Sequence, residues 1–326
     1  MIDNFNWPVQ RQDIKRFADD ITNKTILFIK KNKQLHNEID FISINYRFII
    51  NDIINIYVAK KFLSYKQEAN YFFDNKLIDE IRLNKQISLS HTICRVLKGL
   101  KKKNHIFFFL SRLKKFLFDK IKYIKKENID SNYHIITFSN NELIKTKANF
   151  LKRNKVKLSY FQDWFPSGEL KLQDIKVNKG KCFTDFHNLI IKFFLNYDLE
   201  LSKNEVNYFL RLLETWYKIT YFFENKLTKN KENLPKELWI GTSGIFYNRI
   251  FAKAVRGNGG KVYGFAHSSA DIVKSIDQMI TEYNHVDSFY TYNKNAKETA
   301  LESFNKKFIF NNFNKENILY VNEEKK

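Results

Sequence analysis

The stretch Glu237-Leu-Trp-Ile-Gly-Thr-Ser-Gly-Ile-Phe-Tyr-Asn-Arg-Ile-Phe-Ala-Lys-Ala-Val-Arg-Gly-Asn-Gly-Gly-Lys-Val-Tyr-Gly-Phe-Ala-His267 holds six of the nine glycines in a chain of 326 residues. Glycine weakens helix and strand interiors, so a chain this poor in it concentrates it where backbone turns tightly or approaches something closely. Leu238–Ile240 is a short apolar run that ends in Gly241-Thr-Ser-Gly244. An amphipathic stretch from Ile245 to Arg256 follows, Gly257, Gly259 and Gly260 close it, and Val262–Ala266 is a second apolar run. This order predicts a strand, a helix and a parallel strand.

Working outward, Ser288–Tyr292 and Ile318–Val321 read as further strands, with a helix between them at Asn295–Phe304. Upstream, Tyr133–Phe138 and Val156–Tyr160 read as strands around a helix at Glu142–Arg153, with Ser139 and Asn140 as its caps. Two helices follow, the second opening with the capping box Ser202-x-x-Glu205, and Lys226–Lys236 reads as a polar linker. From Gln10 to about Glu127 the apolar spacing is helical throughout, as in Phe41, Ile44, Phe48, Ile49 and Ile53. The expected fold is α/β: a helix-rich N-terminal region (1–130), a first α/β unit with a helical insertion (131–235) and a Rossmann-like parallel-sheet unit (236–326). That last unit looks short, so either earlier strands complete its sheet or the chain is a fragment.

Composition narrows the class. A hydrophobic fraction of 44% and an aromatic fraction of 16% suffice for a large core despite the high charge. The longest apolar run, Ile106–Leu110, is far short of the roughly 20 residues of a membrane span. The N-terminus lacks the pattern of a signal peptide, so a cytoplasmic location is expected. Cys94 and Cys182 are too few for a disulfide framework and read as buried thiols. No histidine has a partner at metal-ligand spacing, so no metal and no cofactor is expected.

The net charge of +21 points to an acidic partner, although part of the lysine excess follows the Lys, Asn, Ile, Phe and Tyr bias of AT-rich coding. Between Lys98 and Lys126 eleven Lys or Arg face a single acid, Asp119, beside an apolar stripe of Phe109, Leu113, Phe116, Leu117, Ile121 and Ile124. Such a helix fits an acidic membrane surface, for example the inner face of the plasma membrane, or packs its stripe on the core of the protein. Nucleic acid is disfavoured as a partner, because no base-stacking platform or reading module accompanies the charge.

In a parallel sheet ligands bind beyond the carboxyl ends of the strands, where helix N-termini favour anions. Thr242, Ser243 and Gly244 stand at that point, and His267 ends the second strand beside Ser268, Ser269 and Asp271. A phosphate or carboxylate site follows, with His267 as hydrogen-bond donor or proton carrier. The alternative is that Gly241 and Gly244 serve close packing alone. Arg249, Lys253 and Arg256 share a helix face that reads as solvated, with Arg249 the exception nearest the cleft. The aromatic loop Phe161-Gln-Asp-Trp-Phe-Pro-Ser-Gly168 offers Asp163 as a base and Trp164 as a surface on which a sugar ring could stack.

The run from Leu238 to His267 resembles the central segment of bacterial capsule and lipopolysaccharide glycosyltransferases with the two-Rossmann GT-B fold. The likeness covers about Pro235 to Phe304. In those proteins Phe-x-His is commonly followed by glycine, where this chain has Ser268 and Ser269. The resemblance implies transfer of a sugar from a nucleotide sugar to a glycan or lipid-linked acceptor, without a bound metal. His267, Ser243 and nearby amides would then stabilise phosphate, with Asp163 or Asp271 as the base. A non-catalytic, membrane-peripheral scaffold of a carbohydrate pathway is the competing expectation, followed by a basic nucleic-acid-binding protein.

Overall fold

A computed structural model describes residues 9–34, 36–64, 75–89, 93–94, 135–138, 141–150, 156–158, 164, 174–177, 180–241, 246–266 and 276–323. The expected basic helix at 98–126 lies outside the described residues, as do Ser139 and Asn140. Three N-terminal helices come first: α1 (Arg11–Lys31), α2 (His36–Ser64) and α3 (Asn75–Arg82). Then follow β1 (Ile135–Thr137), α4 (Glu142–Phe150), β2 (Val156–Leu158), α5 (Lys181–Leu195) and α6 (Lys203–Lys229). The C-terminal third contributes β3 (Glu237–Ile240), α7 (Phe246–Gly257), β4 (Lys261–Phe265), α8 (Ile276–Thr281), β5 (Ser288–Thr291), α9 (Lys294–Ser303) and β6 (Ile318–Tyr320).

All six strands join one sheet, in the order β2-β1-β3-β4-β5-β6, and every pairing is parallel. The two α/β units expected from sequence are therefore two parts of the same sheet, and earlier strands complete it. A second Rossmann sheet, as in a GT-B fold, is not found among the described residues. Leu227 is buried, and it draws α6 on to Lys229, into the first part of what reads as a polar linker; a 3-10 turn, Lys231–Asn233, follows.

The glycines after α7 explain its end. Gly259 has φ of +76°, and the amides of Gly259 and Gly260 donate to the carbonyls of Arg256 (3.0 Å) and Val255 (2.9 Å). This is a Schellman cap, which satisfies carbonyls that the helix terminus leaves open. Gly264 has a different reason. It stands opposite Phe289 in the register, and a Cβ there would lie 2.8 Å from the Phe289 ring. The opposite face of the sheet is aromatic, with Trp239, Phe265 and Tyr290 in a row of contacts at 5.2 and 5.1 Å between ring centroids.

Helix α2 is buried nearly all round, through Phe41, Ile42, Tyr46, Ile49, Ile53 and Tyr57. A helix apolar on every side belongs inside a packed core. It touches α1, α5, α6, α7 and α8, and one contiguous core runs from Phe17 in α1 to Val321 after β6. Polar contacts set its register. Tyr46 Oη donates to Thr22 of α1 at 2.6 Å, and buried Asn45 donates to Thr220 of α6 at 2.8 Å. The Ser202–Glu205 capping box opens α6 as expected, and the same Glu205 carboxylate, 1% exposed, accepts from Lys60 of α2 at 2.8 Å. Cys182 is buried, whereas Cys94 is only partly so. No helix among the described residues is long and apolar enough to cross a membrane.

Replacement of Gly259 by Ala places a Cβ in the left-handed region and is expected to destabilise the fold by about 1 kcal/mol. Gly264→Ala additionally presses on Phe289 and is expected to cost more, about 1–3 kcal/mol. Urea unfolding of the two variants checks the ranking, and an unchanged midpoint for Gly264→Ala would contradict the packing described here.

Candidate functional site

Strand order reverses at one place. The chain steps from β1 outward to β2, returns to β3 on the other side of β1, and then proceeds in one direction to β6. In parallel sheets a reversal of this kind is where ligands bind, beyond the carboxyl ends of the two strands. Thr137 and Trp239 are paired at that end. Local sequence patterns point to the ends of β3 and β4 and do not report the adjacency of β1 and β3, which is a long-range property.

Asn141 makes two hydrogen bonds near this end of the sheet. Its side-chain oxygen accepts from the Leu143 N–H at 2.8 Å, as a helix cap does, and its amide nitrogen donates to the Ala266 carbonyl at 3.0 Å. The exit of β1 is thereby tied to the exit of β4. Sequence reasoning missed Asn141, although an Asn directly before the acidic first turn of α4 is a cap signal. Near the same edge Phe138 and Trp164 both meet Phe251 of α7 edge to face, at 4.9 and 4.8 Å between centroids. Trp164 thus shares Phe251 with the residue that follows β1. It is only partly buried.

Of the other residues singled out from sequence, Asp163, Thr242, Ser243, Gly244, His267, Ser268, Ser269 and Asp271 lie outside the described residues. The strand, helix, strand order around them is present, with α7 between parallel β3 and β4.

Arg249 is elsewhere than expected, and its helix face is not a solvated stripe. Arg249 is 1% exposed, its Nε donates to the Ile44 carbonyl of α2 at 2.6 Å, and its guanidinium lies 5.5 Å from the centre of Phe48. Burial lowers its pKa to about 9, against the opposing effect of Glu282, so the charge remains at neutral pH. Lys253 reaches Asp40 of α2 and Glu224 of α6, each at 2.5 Å. Burial opposes that charge, but the two carboxylates raise its pKa above the usual value. Arg256, lowered by burial, meets the Asn284 carbonyl at 3.4 Å. The reason for the departure is that α2 and α6, distant in sequence, cover this face of α7.

His285, in the 3-10 turn Tyr283–His285, is buried beside these cations. Burial, then Arg249 and Arg256, push its pKa well below the usual value, while a bond to the Ser43 backbone opposes the shift. The ring is neutral. Among the described residues no group of three His, Cys, Asp or Glu side chains is placed to hold a metal ion.

No family model, curated protein or solved structure matches this chain.

A histidine with a depressed folded pKa takes up its proton only on unfolding. Stability should therefore be fully present above the unfolded value near pH 6.5 and fall as pH drops below it, by about 1.4 kcal/mol per pH unit for this one proton. Urea unfolding between pH 7 and pH 5 for wild type and His285→Gln measures the effect as a difference in slope. Equal slopes would show that His285 titrates alike in both states.

Proposed function

We propose that this protein binds a nucleotide-activated sugar at the carboxyl edge of its sheet and transfers the sugar to a surface-polysaccharide or lipid-linked glycan acceptor. The observation that carries the reading is the reversal of strand order between β1 and β3, which in parallel sheets marks the ligand crevice. By sequence, 241–245 and 267–271 continue the chain from the carboxyl ends of β3 and β4. Those segments bring Thr242, Ser243, Gly244 and His267, residue types that suit a diphosphate. Trp164 adds an aromatic surface one contact away from the end of β1.

In this reading the acceptor hydroxyl attacks the anomeric carbon, the bond from that carbon to the diphosphate breaks, and the nucleoside diphosphate departs. Asp163 or Asp271 takes the hydroxyl proton. His267 and Ser243 stabilise the charge that develops on the leaving phosphate, which is where preorganised donors contribute most. The sheet acts as the donor-binding half of a GT-B-type arrangement, and the basic stretch 98–126 holds the protein against an anionic membrane where lipid-linked acceptors reside.

Calorimetry with a panel of nucleotide sugars tests the core of the proposal. At least one should bind, and His267→Ala should weaken binding or turnover about ten- to a hundred-fold, the value of a lost charge-assisted hydrogen bond. Absence of binding by every nucleotide sugar would favour the non-catalytic scaffold instead. Vesicle flotation tests the membrane part: recovery with acidic vesicles should be lost when Lys114, Lys115, Lys122 and Lys125 become Gln, and equal recovery with neutral vesicles would refute it.

A further inference from the structure

Helix α1 turns Phe17, Ile21, Ile26 and Ile29 into the core, and Leu27 is not part of that face. At 59% it is the most exposed large apolar side chain among the described residues. Residues three and four apart share a helix surface, so its neighbours one turn away are Lys24, Lys30 and Lys31. A lone exposed leucine needs no explanation. One set among unpaired cations does.

A second segment adds to those cations. Lys30 Nζ donates to the Lys307 carbonyl at 2.8 Å, which holds the 3-10 turn Lys306–Phe308 against the end of α1. Lys31, Lys33 and Lys307 are exposed, and among the described residues none of these three or Lys30 forms an ion pair. Burial and the ammonium groups of Lys306 and Lys307 lower the pKa of Lys30. The acids around the patch have cations or donors of their own. Glu302 and Glu316 stand with Lys306 and Lys315 around an open hollow, Asp20 accepts from Tyr197 at 2.6 Å, and Asp40 holds Lys253. Lys33 carries the patch to the rim of a cleft at the amino edge of the sheet, beside the starts of β4 and β5. There Asp287 and Asp40 offset Arg256, so the unanswered charge ends at Lys33.

We propose that this end of α1 docks on an anionic lipid surface, with Leu27 entering the headgroup region and Lys30, Lys31, Lys33 and Lys307 lying against lipid phosphates. Four like charges from two segments repel one another, and an anionic partner removes that repulsion. A nucleic-acid backbone would do so too, but would leave the leucine in water. A lipid interface has an apolar layer directly beneath its charges and takes up both kinds of side chain. The proposal needs neither the donor crevice nor the stretch 98–126.

Partition of the full chain onto vesicles of phosphatidylglycerol, with phosphatidylcholine as the neutral control, is the test. Binding should be confined to the anionic vesicles and should weaken as salt is added. The double variant Lys31→Gln, Lys307→Gln should reduce it by roughly five-fold for each lysine. Leu27→Asn should reduce it by about five-fold and leave its salt dependence unchanged. All three positions are exposed, so thermal unfolding should be unaltered. Lys85 and Lys203 serve as a matched pair at the other end of the helical layer, where Asn204 bonds Asn84 at 3.0 Å and Glu205 takes Lys60 from the end of α2. Their double change to Gln should have little effect, and an equal loss would show that net charge alone drives binding. That result, equal partition onto neutral vesicles, no partition at all, or full partition by Leu27→Asn would each overturn the inference. Loss of binding when Lys114, Lys115, Lys122 and Lys125 become Gln, with the Lys31, Lys307 variant unchanged, would also overturn it and leave the basic stretch as the anchor. The reverse outcome would support the patch and remove the stretch.

Discussion

A sheet whose strands are all parallel must be covered on both faces, since its crossover connections lie against them and its strands are apolar on both sides. Here that requirement organises the chain. The short strands of β1 to β6 offer Leu238, Ile240, Val262 and Phe289 to one side and Trp239, Phe265 and Tyr290 to the other. Helix α7 covers β3 and β4, and a further layer made by α2 and α6 covers α7 in turn. The N-terminal helices are thus the second shell of the sheet. Their own buried face exists because α7 needs a partner.

The seam between these layers carries charge as well as apolar area. Arg249, Lys253 and Arg256 come from one face of α7, while Asp40, Glu224, Glu282 and Asp287 answer them from α2, α6 and the connections around β5. Taking such groups out of water is costly, and well-packed apolar residues would often serve stability equally well. What ion pairs add is direction. Lys253 is held by carboxylates from two different helices, and Arg249 bonds the Ile44 carbonyl, so α7 has one rotational setting against α2. Removal of either partner would leave an uncompensated charge in the interior, which is a heavier cost than the pair is worth in place.

Local signals made the β3-α7-β4 unit, the α6 capping box and the later strands legible in the sequence, because each depends on residues within a few positions of one another. Gly257, Gly259 and Gly260 marked a helix end, and the Schellman cap is its physical cause. Gly264 stood out only as one of the clustered glycines, since Phe289, which approaches it, arrives from a strand paired by tertiary structure. The face of Arg249, Lys253 and Arg256 was misread for the same reason. A row of cations three and four apart looks solvated until the acids that bury it are known, and Asp40 is some two hundred residues away in the chain. Of the candidate site, the segment after β3 and the Trp164 loop were proposed from sequence, whereas the bond from Asn141 to Ala266 and the neighbourhood of β1 and β3 required the three-dimensional arrangement.

Helix α7 connects the two edges of the sheet. It starts after the carboxyl end of β3, beside the reversal of strand order, and it ends at Gly257, where Arg256 lines the amino-edge cleft. Along its length two side chains, Arg249 and Lys253, are fastened to the helical layer, and its C-terminus is fixed by the glycine cap, so motion along its axis must break several of these contacts together. Packed interfaces of this kind shift between discrete arrangements rather than deform gradually. A ligand at either end would therefore act on the other only by favouring one setting of α7 against α2, and Arg249 and Lys253, buried at that interface, are the contacts through which such a preference would be felt.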